Sequence, residues 1–178
     1  LITYGSILSF FRLNPIIFFR KLKEVLLFAF STSSSSATMP LTLKTVKEKL
    51  GVDQSVASFC IPLGATINMD GTAIMQGIAT VFIAQAYGID LQITDYLMVI
   101  LTATLASIGT AGVPGVGLIM LALVLQQVGL PVEGIALIIG VDRLLDMIRT
   151  AVNVSGDSMI ACIISSAQGS LNKSKFFD

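Results

Sequence analysis

Six polar residues near the end of the sequence, Asp142, Asp146, Arg149, Thr150, Asn153 and Asp157, are spaced to share one face of a helix. At about 100° per residue from Asp146 they fall between about −60° and +40°. Leu145, Met147, Ile148, Val152, Val154 and Ile160 are left for the other face. Such a stripe can hold a zwitterion or a cation. At membrane depth each charge is costly unless paired or hydrated, so a functional site is the default reading. A plainer reading has Asp142, Asp146 and Arg149 pairing within the helix at i,i+3 and i,i+4 spacing, which leaves Asn153 and Asp157 unexplained.

Three further clusters carry chemistry. Asn68-Met69-Asp70-Gly71 interrupts a long apolar run and offers carboxylate, amide and carbonyl oxygens, the surroundings hard cations prefer. Asp70 could equally cap a helix starting near Thr72. The serines of Ser31 to Ser36 could form a flexible linker; at the tip of a buried hairpin their hydroxyls and N–H groups would meet an anionic carboxylate at a helix N-terminus. Gly109 to Gly117 (GTAGVPGVG) suits a turn, or a gate whose backbone must approach a ligand closely.

The elements that hold these clusters must lie in a membrane. Of 178 residues 54% are hydrophobic and only 12% charged, with a mean hydropathy of +0.86; a soluble domain would carry about 25% charge. Zero net charge supplies no field for nucleic acid. With no His and two Cys, a zinc-type grouping is excluded, and Cys60 and Cys162 read as small core residues. The chain opens on Leu1 with no cleavable signal pattern, and is expected to be a fragment.

The interruptions divide it into residues 1–24, the end of a transmembrane helix and a cytoplasmic linker; 25–49, a re-entrant hairpin with the serines at its tip; 50–90, a broken transmembrane helix; 91–131, a second re-entrant hairpin; 132–167, a last transmembrane helix carrying the stripe, which simple hydropathy would mark down; and 168–178, a tail. The expected fold is an all-α membrane protein, with two opposed hairpins and two transmembrane helices. Seven basic residues fall between Arg12 and Lys49 and none from Gly51 to Asp142, which puts the first hairpin on the cytoplasmic side and the second outside. Interrupted segments in corresponding, inverted positions point to a transporter's site near the midplane.

Taken together, SSSSATMP at 33–40, NMDGT at 68–72, SIGTAGVPG at 107–115 and DMIRTAVNVSGD at 146–157 resemble the glutamate transporter family, the dicarboxylate/amino acid:cation symporters. The resemblance covers essentially the whole chain. It implies the C-terminal transport domain of a longer, multi-pass cell-membrane protein that forms a homotrimer through N-terminal helices and works by an elevator-type movement. It implies that Arg149 pairs with the side-chain carboxylate of aspartate or glutamate, a match a guanidinium fork makes bidentately. Asp146 would receive the amino group, Asn153 the α-carboxylate and Thr72 the side-chain carboxylate, with Thr150 on the same stripe and Ser34, Ser35, Val113 and Gly117 contributing from the hairpin tips. Sodium is the implied coupling ion, with protons as the alternative, and no cofactor is implied. One cation site would use Gly64, Asn68, Asn153 and Asp157, a second Thr66, Ser107, Ile108 and Thr110, and a third Asn68 and Asp70 with residues from a helix this chain lacks.

Two departures matter. Animal members carry a glutamate eight residues after the motif's asparagine, where this sequence has Gln76, which cannot titrate; this resembles sodium-coupled prokaryotic members and disfavours potassium countertransport. An arginine that some archaeal members place at the first tip is Ser33 here, and Arg143 is a candidate to compensate. Among other classes, an intramembrane aspartyl protease lacks the first glycine of its GxGD pattern at Val154-Ser155-Gly156-Asp157 and its Tyr-Asp partner, and a serine hydrolase lacks a histidine base. A purely structural membrane module would have no ligand to lose.

Overall fold

The computed structural model describes residues 1–178, all helix and connection with no strand. Helix α1 (Ile2–Phe10) leads into α2 (Pro15–Thr32), which begins where Asn14 accepts hydrogen bonds from the amides of Ile16 and Ile17 and Pro15 supplies a preset φ. It ends at Ser33, in the left-handed region with φ 53°. Helix α3 (Ser35–Glu48) starts at once, its N-cap Ser34 accepting from the Ala37 amide at 3.1 Å. Two helices joined by two serines make the first hairpin. Helix α2 runs unbroken through Arg20–Glu24, where the charge run suggests a linker; Arg, Lys and Glu are good helix formers, so charge alone does not stop the helix.

Helix α4 (Gln54–Ile67) is capped by Asp53, whose oxygen accepts from Ser55 and Val56. Only Asn68 and Met69 separate it from α5 (Asp70–Ala86), so the break is shorter than the four residues expected. Asp70 is the first residue of α5 and its side chain caps nothing. Helices α6 (Ile93–Ile108) and α7 (Val116–Gln127) form the second hairpin around Gly109–Gly115, with Gly115 at φ 82°. The last segment departs from the single helix expected. A 3-10 turn (Val132–Ile135) and the short α8 (Ala136–Ile139) precede a break at Gly140 and Val141, before α9 (Asp142–Ala167) and a terminal α10 (Lys173–Phe177). Glycine is among the poorest helix formers, and the Val141 amide bonds to Ile138 three residues back, which tightens and ends the turn.

Helix α9 is the axis of the molecule, packed against α2, α3, α4 and α5. The larger core joins α1, α2, α4 and α9 through Leu8, Phe18, Leu22, Ile61, Ala161 and Cys162, and Phe176 of α10 is inserted into it with no exposed surface. Cys60 and Cys162 are buried free thiols in this core. A smaller core joins α5 and α7 through Met75, Ile83, Leu121 and Leu125. Ile93, Leu97, Ile100, Leu101 and Leu105 stand exposed along α6, and Ile74, Ile78 and Phe82 along α5, more apolar surface than a soluble monomer shows. By length and composition one helix, Asp142–Ala167, qualifies to cross a membrane. That is the segment simple hydropathy was expected to reject; after Arg149 it carries a single charge, Asp157.

Candidate functional site

All six residues of the α9 stripe are buried. The opposite face is less uniform than the periodicity implies. Ile148 and Ile160 are exposed, but Val154 is 2% exposed and belongs to the larger core, because α9 is enclosed nearly all round beyond Asn153.

The stripe is met from three directions. From α5, Gly71 brings its backbone against that of Arg149: a methyl there would fall 2.8 Å from the Arg149 Cα. At this crossing the Asn153 side-chain oxygen accepts from the Gly71 amide at 2.7 Å, so the stripe itself satisfies one free N–H of the broken helix. The Asn153 amide nitrogen lies 3.3 Å from Thr72 Oγ1 and 3.2 Å from Met69 Sδ. From the second hairpin, the Gly115 amide donates to Asp146 Oδ2 at 2.9 Å, and Gly117 leaves the space that the Arg149 guanidinium fills. From the first hairpin, Ser34 Oγ and the Ser36 amide both donate to the Gly112 carbonyl, at 2.8 and 3.2 Å. The two tips therefore meet over the stripe.

Between them lies a narrow polar cleft of about 10 Å³, roughly the room of one water molecule. Ser35, Thr72, Thr110, Val113, Asp146, Arg149, Thr150 and Asn153 line it, with Ser33, Met69, Ala111 and Gly112. Of the nine residues expected at a substrate, seven line this space; Ser34 and Gly117 stand behind it, locking the tips and housing Arg149. Arg149 Nε donates to Asp146 Oδ1 at 2.9 Å, the intrahelical pair of the plainer reading. That pair does not exhaust the guanidinium, since Nη1 is buried without a hydrogen-bond partner. Asp146 accepts from Arg149, Gly115 and, at 3.4 Å, Thr150. An ammonium group could replace the Gly115 or Arg149 donor there, and a carboxylate could accept from the freed guanidinium nitrogens.

Two turns further along α9, Asp157 accepts from the Asn68 amide at 2.8 Å, and its carboxylate occupies the room left by the absent side chain of Gly64. Gly64, Asn68 and Asp157 thus converge. Asn153 is turned toward Gly71 and Thr72 by its side chain. Of the second cation set, Ser107 and Thr110 are buried at the tip of the second hairpin, while Thr66 and Ile108 are exposed. Asp70 is exposed at the break, one oxygen held by the Tyr4 hydroxyl at 2.7 Å. Arg143 is exposed and makes no ion pair, and Ser33 Oγ is buried without a partner at the first tip.

Sequence reading missed Tyr4, a lone tyrosine 66 residues from its partner. Gly112 and Gly115 belong to the glycine stretch whose backbone was expected to approach a ligand closely, and they offer a carbonyl to Ser34 and an amide to Asp146. Gln76, fully buried, has neither amide atom bonded.

Compared with protein families, residues 1–167 match the sodium:dicarboxylate symporter family. An excitatory amino acid transporter of Caenorhabditis elegans is 52% identical over 151 residues, 85% of this chain and 30% of the relative. Excitatory amino acid transporter 1 of Rattus norvegicus is 49% identical over 153 residues, 86% of this chain and 28% of the relative. For excitatory amino acid transporter 5 of Homo sapiens the figures are 48%, 85% and 27%. The chain thus spans about 30% of the length of the curated relatives it matches. These relatives are transporters rather than enzymes, and they come from animals, not from the prokaryotes that Gln76 led one to expect. The chain belongs to the sodium:dicarboxylate symporter family.

Proposed function

We propose that the protein is a secondary symporter that carries aspartate or glutamate across a cell membrane together with sodium. The carrying observation is Arg149, 5% exposed, whose Nη1 has no partner beside a polar cavity walled by both hairpin tips. A buried guanidinium with donors to spare calls for an anion, and a bidentate match favours a carboxylate. Asp146 beside it supplies the acceptor for an α-ammonium, so an acidic amino acid suits the pair better than a plain dicarboxylate. Thr72, Thr150, Asn153 and the tip residues Ser34, Ser35, Val113 and Gly117 complete the substrate site in this reading.

Sodium enters through the carboxylates at the helix break. A dianionic side-chain pattern is costly in a low-dielectric site, and a cation at Asp157 or Asp70 lowers that cost, which is the physical basis of coupling. The carbonyls of Gly64, Thr66, Asn68, Ser107, Ile108, Thr110 and Asn153 are the other proposed donors. The neutral Gln76 gives no titratable group at its position, which disfavours potassium countertransport; proton-coupled symport is the alternative. In the same reading residues 25–49 and 91–131 are re-entrant hairpins from opposite sides, the protein is a multi-pass membrane homotrimer, and this domain moves as a unit against a scaffold.

The test is uptake of radiolabelled aspartate and glutamate by the full-length protein in proteoliposomes, with sodium or pH gradients imposed separately. Uptake that follows the sodium gradient is expected. Uptake that follows only the pH gradient refutes sodium coupling, and binding of neither amino acid refutes the substrate.

A further inference from the structure

Two acidic side chains at the helix break are each held by a neutral donor. Asp157 is held by the Asn68 amide at 2.8 Å and Asp70 by the Tyr4 hydroxyl at 2.7 Å. The donors are neighbours. Both lie over Gly156 of α9, where a methyl group would come within 2.7 Å of the Asn68 amide nitrogen and 2.9 Å of the Tyr4 oxygen. Tyr4 reaches this place from α1, a helix that contributes nothing else to the site, and its ring is 7% exposed and part of the larger core. Asp70, in contrast, is exposed on the first turn of α5 with no other hydrogen-bond partner. A short aspartate at a helix start has several staggered orientations open to it, and Tyr4 selects one.

We infer that Tyr4 is the positioning residue of the Asp70 cation site: its hydroxyl fixes one carboxylate oxygen, so that the other and the Asn68 side chain face the ion in a preset arrangement. This rests on the sodium-symport reading above. A phenol suits the task because it donates one proton to the carboxylate and keeps lone pairs that a cation tolerates. Its packing in the core costs the site no ordering when the ion arrives, the general advantage of a preorganised site. Gly156 is the floor that admits both donors side by side.

The experiment is a series of calorimetric aspartate titrations at stepped sodium chloride concentrations, on the full-length protein and on Tyr4→Phe, Asp70→Asn and the double variant. Tyr4→Phe keeps the ring and its packing. Loss of a hydrogen bond to a charged group predicts an increase of about tenfold in the sodium concentration that half-saturates the response. Aspartate affinity at saturating sodium stays as in the wild type, and in the Asp70→Asn background the second substitution adds nothing. A merely structural role would instead weaken aspartate binding at every sodium concentration and lower thermal stability in both backgrounds. That result, or an unchanged sodium midpoint in Tyr4→Phe, overturns the inference while leaving symport intact. Wild-type binding indifferent to sodium overturns both.

Discussion

At the scale of single residues, the site is a set of groups whose bonding capacity exceeds what the fold uses. Arg149 spends one nitrogen on Asp146 and keeps Nη1 unpaired. Replacement by Ala removes charge-assisted bonds, and aspartate affinity should fall about 10- to 100-fold; isothermal titration checks this, and Lys should not restore it, because an ammonium cannot reproduce the planar fork. Gly117→Ala is a sharper probe. Alanine is the better helix former by about 1 kcal/mol, so helix stability should hold, yet the added methyl collides with the Arg149 guanidinium. A variant with unchanged melting temperature and weakened aspartate binding is the expected outcome. The stripe was legible in sequence because six polar residues on one helical face are rare in so apolar a chain. Tyr4 was not, since a tyrosine in an apolar helix reads as packing until the fold brings Asp70 to it.

At the scale of elements, the helix ends are where sequence and structure agree best, and the exceptions have a common cause. The serine and glycine-proline tips lie where expected because left-handed backbone and N-capping require those residue types. The expected stops at Arg20–Glu24 and the unexpected one at Gly140–Val141 show that charge marks solvent, not helix termination, whereas a lone glycine can end a helix inside an apolar run. Ser34→Ala removes both the cap on Ala37 and the bond to Gly112. About 1 kcal/mol of local stability should go with the cap alone, seen as faster amide exchange in the first turn of α3 and at the second tip. At the base of the same hairpin, Glu24 is bonded to Lys49 at 2.7 Å, and that hydrogen bond and charge hold the carboxyl below its ordinary 4.5. A lowered carboxylate stabilises the fold above its unfolded value and loses that contribution as pH falls through the folded one. The pair is exposed and screened, so Glu24→Gln should alter the melting temperature little at pH 7, and in a pH series of melts the difference from wild type should vanish once the pH has fallen through the lowered carboxyl.

For the whole molecule, α9 joins two halves that otherwise touch little: the first hairpin with α1, α4 and the tail, and the second hairpin with α5. The tail closes the first half. Asn172 bonds to the Gly51 carbonyl at 2.8 Å, Lys21 donates to the carbonyls of Lys49 and Lys175, and Phe176 is wholly enclosed. Phe176→Ala should cost about 3–5 kcal/mol and lower the melting temperature, with aspartate affinity unchanged where the protein remains folded. The sequence marked residues 168–178 only as a tail, because a short polar stretch ending in two phenylalanines has no period from which docking can be read. The stripe on α9 has one more consequence, which concerns length rather than composition. Arg149 and Asp157 are eight residues apart on one rigid rod, about 12 Å along its axis, so ion and substrate groups keep their mutual phase through the helix alone. An alanine inserted between Val154 and Ser155 would turn Asp157 by about 100° and disengage it from Asn68 while leaving Asp146, Arg149, Thr150 and Asn153, which precede it on the helix, in phase with one another. Amino acid binding that has lost its response to sodium is the expected result, and it makes the number of residues between those two side chains as much a part of the coupling as their identity.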